Sequence, residues 1–171
     1  IEWGEKQVTK GRQNTPGGVA WSDTPSLRNK QRWYDIGKLE KADYLCNRFS
    51  DVRFFFGYNP SGVIDDQTFY GAISENKTLT KLQSALLNST LSYLCVELMG
   101  RIALGDGALQ YAVYEMADLL VIDAAKIDKI KSLEINKTFD ALSQRPVKSI
   151  FEEIKMKDRQ KLDRLVLEAM G

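Results

Sequence analysis

The sequence predicts an α+β protein: a curled, mostly antiparallel sheet with a long core helix, followed by a helical C-terminal extension. Three observations carry this. Leu79, Leu82, Leu86, Thr90, Leu94 and Leu98 recur three or four apart, with Leu87, Leu91 and Cys95 widening the stripe, which marks a buried helix running out at Gly100. Ahead of it lie short aromatic and β-branched runs separated by Gly, Pro and Asn, the pattern of strands and turns. Beyond Asp123 strand signals stop, and Lys, Asp and Glu interleave with apolar residues at helical spacing. These shifts place the α+β domain at residues 1–122 and the helical extension at 123–171.

In chain order, Glu2 to Arg12 alternates loosely and reads as extended. Residues 12–30 are rich in Gly, Pro, Ser, Thr and Asn and read as a long loop with one aromatic, Trp21. Leu39 to Phe49 reads as a short helix or turn. Val52 to Tyr58 has the aromatic content of a strand, Asn59-Pro60-Ser61-Gly62 is a turn, and Val63-Ile64 and Thr68 to Ile73 supply further strands. After the core helix comes the glycine-bearing loop Gly105-Asp106-Gly107, then an apolar run, Leu119 to Ile122, that reads as a buried strand. Ile127, Ile130 and Leu133 begin a helix, and Pro146 separates it from the next. Asp158 is placed to cap a last helix with the stripe Leu162, Leu165, Val166 and Ala169.

Composition narrows the chemistry. The 171 residues contain no histidine, which removes the commonest general base, imidazole metal ligands and every histidine-containing triad. Cys46 and Cys95 sit in apolar surroundings and read as free thiols of a reducing compartment. No apolar run approaches the roughly 20 residues of a membrane span, and the N-terminus has no signal-peptide pattern, so the expectation is a cytoplasmic prokaryotic protein, cut from a longer chain. Charge is unevenly spread: 10 Lys and Arg against 7 Asp and Glu in residues 1–56, 3 against 7 in 57–122, and 11 against 9 in 123–171. DNA contact would therefore come from the N-terminal loops and chosen basic side chains rather than from a uniformly basic face.

Basic and aromatic residues adjoin at Arg28-Asn29-Lys30-Gln31-Arg32-Trp33-Tyr34. Such neighbours fit nucleic acid, where guanidinium groups take phosphates or guanine edges and rings pack on sugars or bases; they equally fit a strand whose rings pack inward. The glycines of Gly105-Asp106-Gly107 either form an ordinary helix-to-strand turn or let the backbone approach a ligand. Asp140 with Glu153-Ile154-Lys155 matches the D…E-x-K spacing of magnesium-dependent nucleases, but in a helix-forming segment where that chemistry needs a strand.

The stretch LLNSTLSYLCVELMGRIALGDGALQYAVYEMADLLVID resembles the C-terminal part of adenine-N6 DNA methyltransferases of restriction–modification systems, in which an L-N-S helix precedes a G-x-G segment and a strand. Arg32-Trp33-Tyr34-Asp35-Ile36, Asp66 to Ile73 (DQTFYGAI) and the terminal DRQKLDRLVLEAMG are similar to further segments of that family, and the likeness extends more weakly to the recognition domains of type I specificity subunits. The resemblance implies a target-recognition domain that binds double-stranded DNA and gives sequence specificity to a methyltransferase. Asn59-Pro60-Ser61-Gly62 departs from the family's [DNS]-P-P-[YFW] tetrad, lacking the second proline and the aromatic. No glycine-rich strand–loop–helix for S-adenosylmethionine is present either. Catalysis and that cofactor are thus expected in an upstream methyltransferase domain of the parent chain, with no cofactor, metal or catalytic residue in this piece. Phosphates would be held by Lys10, Arg12, Arg28 and Lys30. Bases would be read by Arg32 with Trp33 and Tyr34, and by the loop Arg101 to Tyr111 through Arg101, Gly105, Asp106, Gly107, Gln110 and Tyr111. A module that docks a partner protein is the alternative.

Overall fold

A computed structural model describes residues 1–11, 17–35, 37–102 and 107–171. The chain divides into two compact units, Ile1–Glu40 and Lys41–Gly171.

The first unit is small and aromatic inside. Its α1 (Glu2–Glu5) is a single helical turn, and Trp21–Asp23 is a 3-10 turn. The extended segment expected over Glu2 to Arg12 is reduced to one antiparallel bridge, Val8 with Ala20. Trp3 meets Trp21 edge-on at 5.5 Å between ring centroids, Trp21 meets Trp33 at 6.3 Å, and Trp33 meets Tyr34 at 5.7 Å. Trp33 and Tyr34 lie in a turn, with the Asp35 N–H donating to the Arg32 carbonyl at 2.9 Å, and do not begin a strand.

The second unit opens with four strands: β1 (Tyr44–Asn47), β2 (Phe49–Ser50), β3 (Phe56–Tyr58) and β4 (Phe69–Ala72). β1 is central in an antiparallel sheet of order β3-β1-β4, where a helix or turn was expected. Tyr44 and Cys46 point inward at the period of two that a strand requires. Burial pushes the Cys46 thiol up to about 12, so it stays protonated and inert. The strand expected over Val52 to Tyr58 shrinks to three residues, and Val63-Ile64 is irregular. There the Asn59 amide replaces a ladder: it donates to the carbonyls of Ala42 and Val63 and accepts from the Val63 N–H, all at 2.8 Å.

The single core helix is two helices, α2 (Thr80–Leu87) and α3 (Thr90–Met99). Asn88-Ser89 breaks it for a reason the apolar stripe conceals. The Asn88 side chain accepts from the Phe56 N–H at 3.2 Å and donates to the Phe56 carbonyl and the Ser84 carbonyl at 2.8 Å each. Ser89 then caps α3 through the Ser92 N–H, and Asp163 accepts from the Thr90 N–H and hydroxyl. Two short strands follow, β5 (Arg101–Ile102) and β6 (Leu109–Gln110), in a second antiparallel sheet of order β2-β6-β5, and then α4 (Val113–Ala117). The strand expected at Leu119 to Ile122 does not form. Gln83 satisfies that backbone instead, donating to the Ile122 carbonyl at 3.0 Å and accepting from the Ala124 N–H at 3.3 Å.

The C-terminal helices are α5 (Lys129–Ser143), α6 (Ile150–Glu153) and α7 (Lys157–Met170). Leu162, Leu165 and Val166 are buried as the stripe predicts, but Ile130 and Leu133 are exposed, and α5 buries Ile135, Thr138, Phe139 and Leu142. Asp158 lies inside the first turn of α7 rather than at its cap, because its carboxylate binds Arg145. α5 and α7 share one core cluster with Leu82, Ala85 and Leu86 of α2, while Leu87, α3 and Ile150 of α6 join a second cluster under the sheet. The segment after residue 122 belongs to the second compact unit, Lys41–Gly171. Among the described residues, no helix is long and apolar enough to cross a membrane.

A buried polar chain joins these parts. Glu153 and Arg159, each 1% exposed, pair at 3.1 Å, and Arg145 adds a second guanidinium to Glu153 at 2.6 Å. Arg159 Nη2 donates to the Tyr93 hydroxyl at 3.2 Å, and that hydroxyl donates to Asn88 Oδ1 at 3.1 Å. Burial raises the Glu153 carboxyl, yet hydrogen bonds from Arg145 and the Lys148 N–H, together with Arg159, outweigh it and hold the group at about 2 against an ordinary 4.5. The unfolded chain therefore binds this proton more tightly. Stability from Glu153 is complete above pH 4.5 and fades as pH falls toward 2, which acid titration of the unfolding free energy will register. Glu153→Gln leaves the buried Arg159 guanidinium without a carboxylate, while Arg145 keeps Asp158, and lowers the unfolding free energy by about 3–5 kcal/mol in denaturant titrations at neutral pH. Asn88→Ala strands the Phe56 backbone groups and costs about 3 kcal/mol in the same assay.

Candidate functional site

Sequence and structure meet at the small sheet. Phe49 pairs with Gln110 across β2 and β6, and Gln110 pairs with Arg101 across β6 and β5. Directly opposed residues of antiparallel strands share a face. Phe49, Gln110 and Arg101 therefore form a row, spanning about 10 Å at the usual strand spacing. On the opposite face Ser50 and Leu109 are buried and Ile102 is exposed; in the row Phe49 is 39% exposed, Arg101 is exposed and Gln110 is half-buried.

Each end of the row has a cation on an aromatic ring. Arg101 Cζ stands 5.9 Å from the Tyr114 ring centroid. Its Nε meets Glu115 Oε1 at 2.7 Å, and Glu115 Oε2 accepts the Ala112 N–H at 2.7 Å, capping α4. One carboxylate thus starts a helix and orients a guanidinium by one edge. At the other end, Arg48 Cζ stands 5.6 Å from the Phe49 centroid and 5.8 Å from that of Tyr70. Such contacts hold a cation by attraction to the ring face.

The sheet is fixed from beneath by Tyr111, which is 1% exposed. Its hydroxyl lies 2.6 Å from Ser50 Oγ, its N–H donates to the Arg48 carbonyl at 3.2 Å, and its carbonyl accepts the Tyr70 hydroxyl at 2.8 Å. Burial pushes the Tyr111 phenol up, against the Ser50 hydrogen bond. A Cβ on Gly100, where α3 turns into β5, would come 2.8 Å from the Tyr111 ring, so glycine there lets the strand pack. Tyr111 is a core residue, not the surface contact expected of it.

The remaining expected residues separate into groups. Arg101 and Gln110 lie in paired strands rather than in a loop. Gly107 has φ 80° with open space around its Cα, so it serves the backbone conformation and not close packing. Gly105 and Asp106 lie outside the described residues, as do Arg12 and Ile36. Lys10, Arg28, Lys30, Arg32, Trp33 and Tyr34 belong to the first unit. There Lys10, Arg28, Lys30, Arg32 and Tyr34 are exposed, and Trp33 is half-buried in the aromatic cluster. Lys30 Nζ donates to the Asp35 carbonyl at 2.6 Å.

Arg48, Phe49 and Tyr114 were missed by sequence reasoning. Their signal, Arg48-Phe49 next to an apolar alternation, is hidden because β1 and β2 are too short to stand out. The nuclease spacing is not realised. Glu153 is buried between Arg145 and Arg159, and Asp140 pairs with Lys81 at 2.6 Å. The Asn59 turn has every polar atom of its side chain engaged by backbone.

Compared with known protein families, curated proteins and solved structures, the chain matches none. Tyr111→Phe removes the Ser50 partner and is expected to cost about 1–2 kcal/mol in thermal or denaturant unfolding.

Proposed function

We propose that this chain is a DNA target-recognition domain, which gives sequence specificity to a site-specific adenine-N6 methyltransferase and does no chemistry itself. The observation that carries the reading is the row Phe49–Gln110–Arg101, flanked by Arg48 and Tyr114. Arginine forks match guanine O6 and N7, glutamine matches adenine N6 and N7, and a phenyl ring packs on the thymine methyl group. A row of about 10 Å fits a major groove about 12 Å wide. Lys10, Arg28 and Lys30 supply exposed positive charge for phosphates, which position a protein on duplex DNA without reading it. The motif resemblance points the same way. The methyl donor S-adenosylmethionine and the flipped adenine are assigned to a partner methyltransferase domain.

Leu94 and Leu98, one turn apart on α3, are exposed, Leu98 by 77%. They favour a second reading, in which an apolar face docks a partner protein. Salt separates the two: duplex binding weakens steeply as salt rises, and an apolar interface does not.

The test is selection from a randomised duplex library with the full chain, followed by titration on the enriched site. Arg101→Ala and Gln110→Ala are each expected to cost about 1–3 kcal/mol on that site and to relax one position of it. Arg28→Ala is expected to weaken all sequences alike and to lower the salt dependence by about one phosphate contact. Absence of any enriched sequence, or unchanged affinity for Arg101→Ala, would exclude this role.

A further inference from the structure

Arg48, at the Phe49 end of the row, is held through its backbone and through two rings. It links β1 to β2, and its backbone belongs to both sheets: its N–H donates to the Thr68 carbonyl at 3.0 Å beside β4, and its carbonyl accepts the Tyr111 N–H at 3.2 Å beside β6. Its guanidinium rests on two rings, Phe49 and Tyr70, and the Tyr70 hydroxyl is itself tied to the Tyr111 carbonyl.

What the side chain lacks is an anion. Arg101, Arg145 and Arg159 each have a carboxylate partner. Among the described residues Arg48 has none, and its Nε is buried without a hydrogen-bond acceptor. Its two terminal nitrogens make no hydrogen bond to a described residue and are not fully buried, so they keep some access to solvent. A half-buried donor left unpaired is costly, and aromatic faces offer charge attraction but no acceptor. The geometry is that of a donor fork seated to receive acceptors from outside.

We infer that Arg48 fixes one G·C pair of the recognised duplex, its guanidinium donating to guanine O6 and N7 beside the position read by Gln110. This rests on the duplex reading proposed above. Guanine is favoured over a phosphate oxygen because Arg48 lies against Phe49, the first member of the row, and is immobilised at both backbone and ring. A bidentate fork suits phosphate as well as guanine, so what favours guanine here is the place of Arg48 against the Phe49 ring at the end of the base-reading row.

Selection from a randomised duplex library with the full chain tests this, using the original protein, Arg48→Lys and Arg48→Ala. The original is expected to enrich a site with an invariant guanine. Both variants are expected to lose that one preference, and their affinity for the enriched site to fall about 5- to 150-fold. Arg48→Lys keeps the charge and the salt dependence but not the fork, so it covers the case in which Arg48→Ala fails to fold. Melting curves for both variants check folding. Enrichment of the same guanine by either folded variant would overturn the assignment while leaving duplex recognition intact. A uniform loss on all sequences, with the salt slope falling by about one, would make Arg48 a phosphate contact and also overturn it. No enrichment by the original protein would sink both this inference and the reading beneath it.

Discussion

The second unit depends on one buried line of polar groups: Glu153, Arg159, Tyr93 and Asn88, ending on the backbone of Phe56. It starts in the C-terminal helices, crosses α3 and finishes in the sheet, so it spans parts that the two apolar clusters hold separately. The charges are compensated in order along it. Two guanidinium groups face Glu153, Arg159 also covers the Tyr93 ring at 5.0 Å, and burial, against the pull of Arg159, pushes the Tyr93 phenol up to about 12 so that it remains a donor. A buried ion pair contributes little net stability against an apolar equivalent. Its effect here is registry, since helices α6 and α7 can satisfy these groups at one position only.

The same logic at smaller scale governs the second sheet. Strands of two residues form no stable sheet by themselves. β2, β5 and β6 persist because Tyr111 binds Ser50 below, Arg48 at the side and Tyr70 beyond, while Gly100 makes room for its ring. A rigid underside leaves the outer face free to carry residues whose placement matters, and that face carries Arg101, Gln110 and Phe49. In the proposed role, a fixed frame would present adaptable polar side chains to base edges, and the ordering cost would be met during folding rather than on contact with DNA.

The α+β class, the strand at Phe69–Ala72, the apolar core of α2 and the stripe of α7 were legible in the sequence because each shows a composition or period that its own local geometry produces. Arg101 and Gln110 were legible as candidates because their side chains carry donors and acceptors suited to base edges. Tyr111 was misread for the same reason in reverse: a tyrosine beside a glycine loop has the same letters whether its ring faces water or lies at 1% exposure under a sheet. Arg48 was invisible because what marks it is a half-buried guanidinium with no acceptor for its Nε among the described residues, and a missing contact has no sequence pattern.

The sequence by itself determined the alternation of apolar and polar positions, and with it the class of each long element and the lack of any histidine chemistry. Tertiary structure alone decided where the long helix breaks, because Asn88 turns away from α2 to serve a strand 32 residues earlier in the chain. It also decided that Glu153 is a buried ion pair and that Phe49, Gln110 and Arg101 stand in one row. Periodicity is a property of neighbours along the chain, whereas hydrogen-bond completion and strand register are settled by residues far apart that must satisfy one another at once.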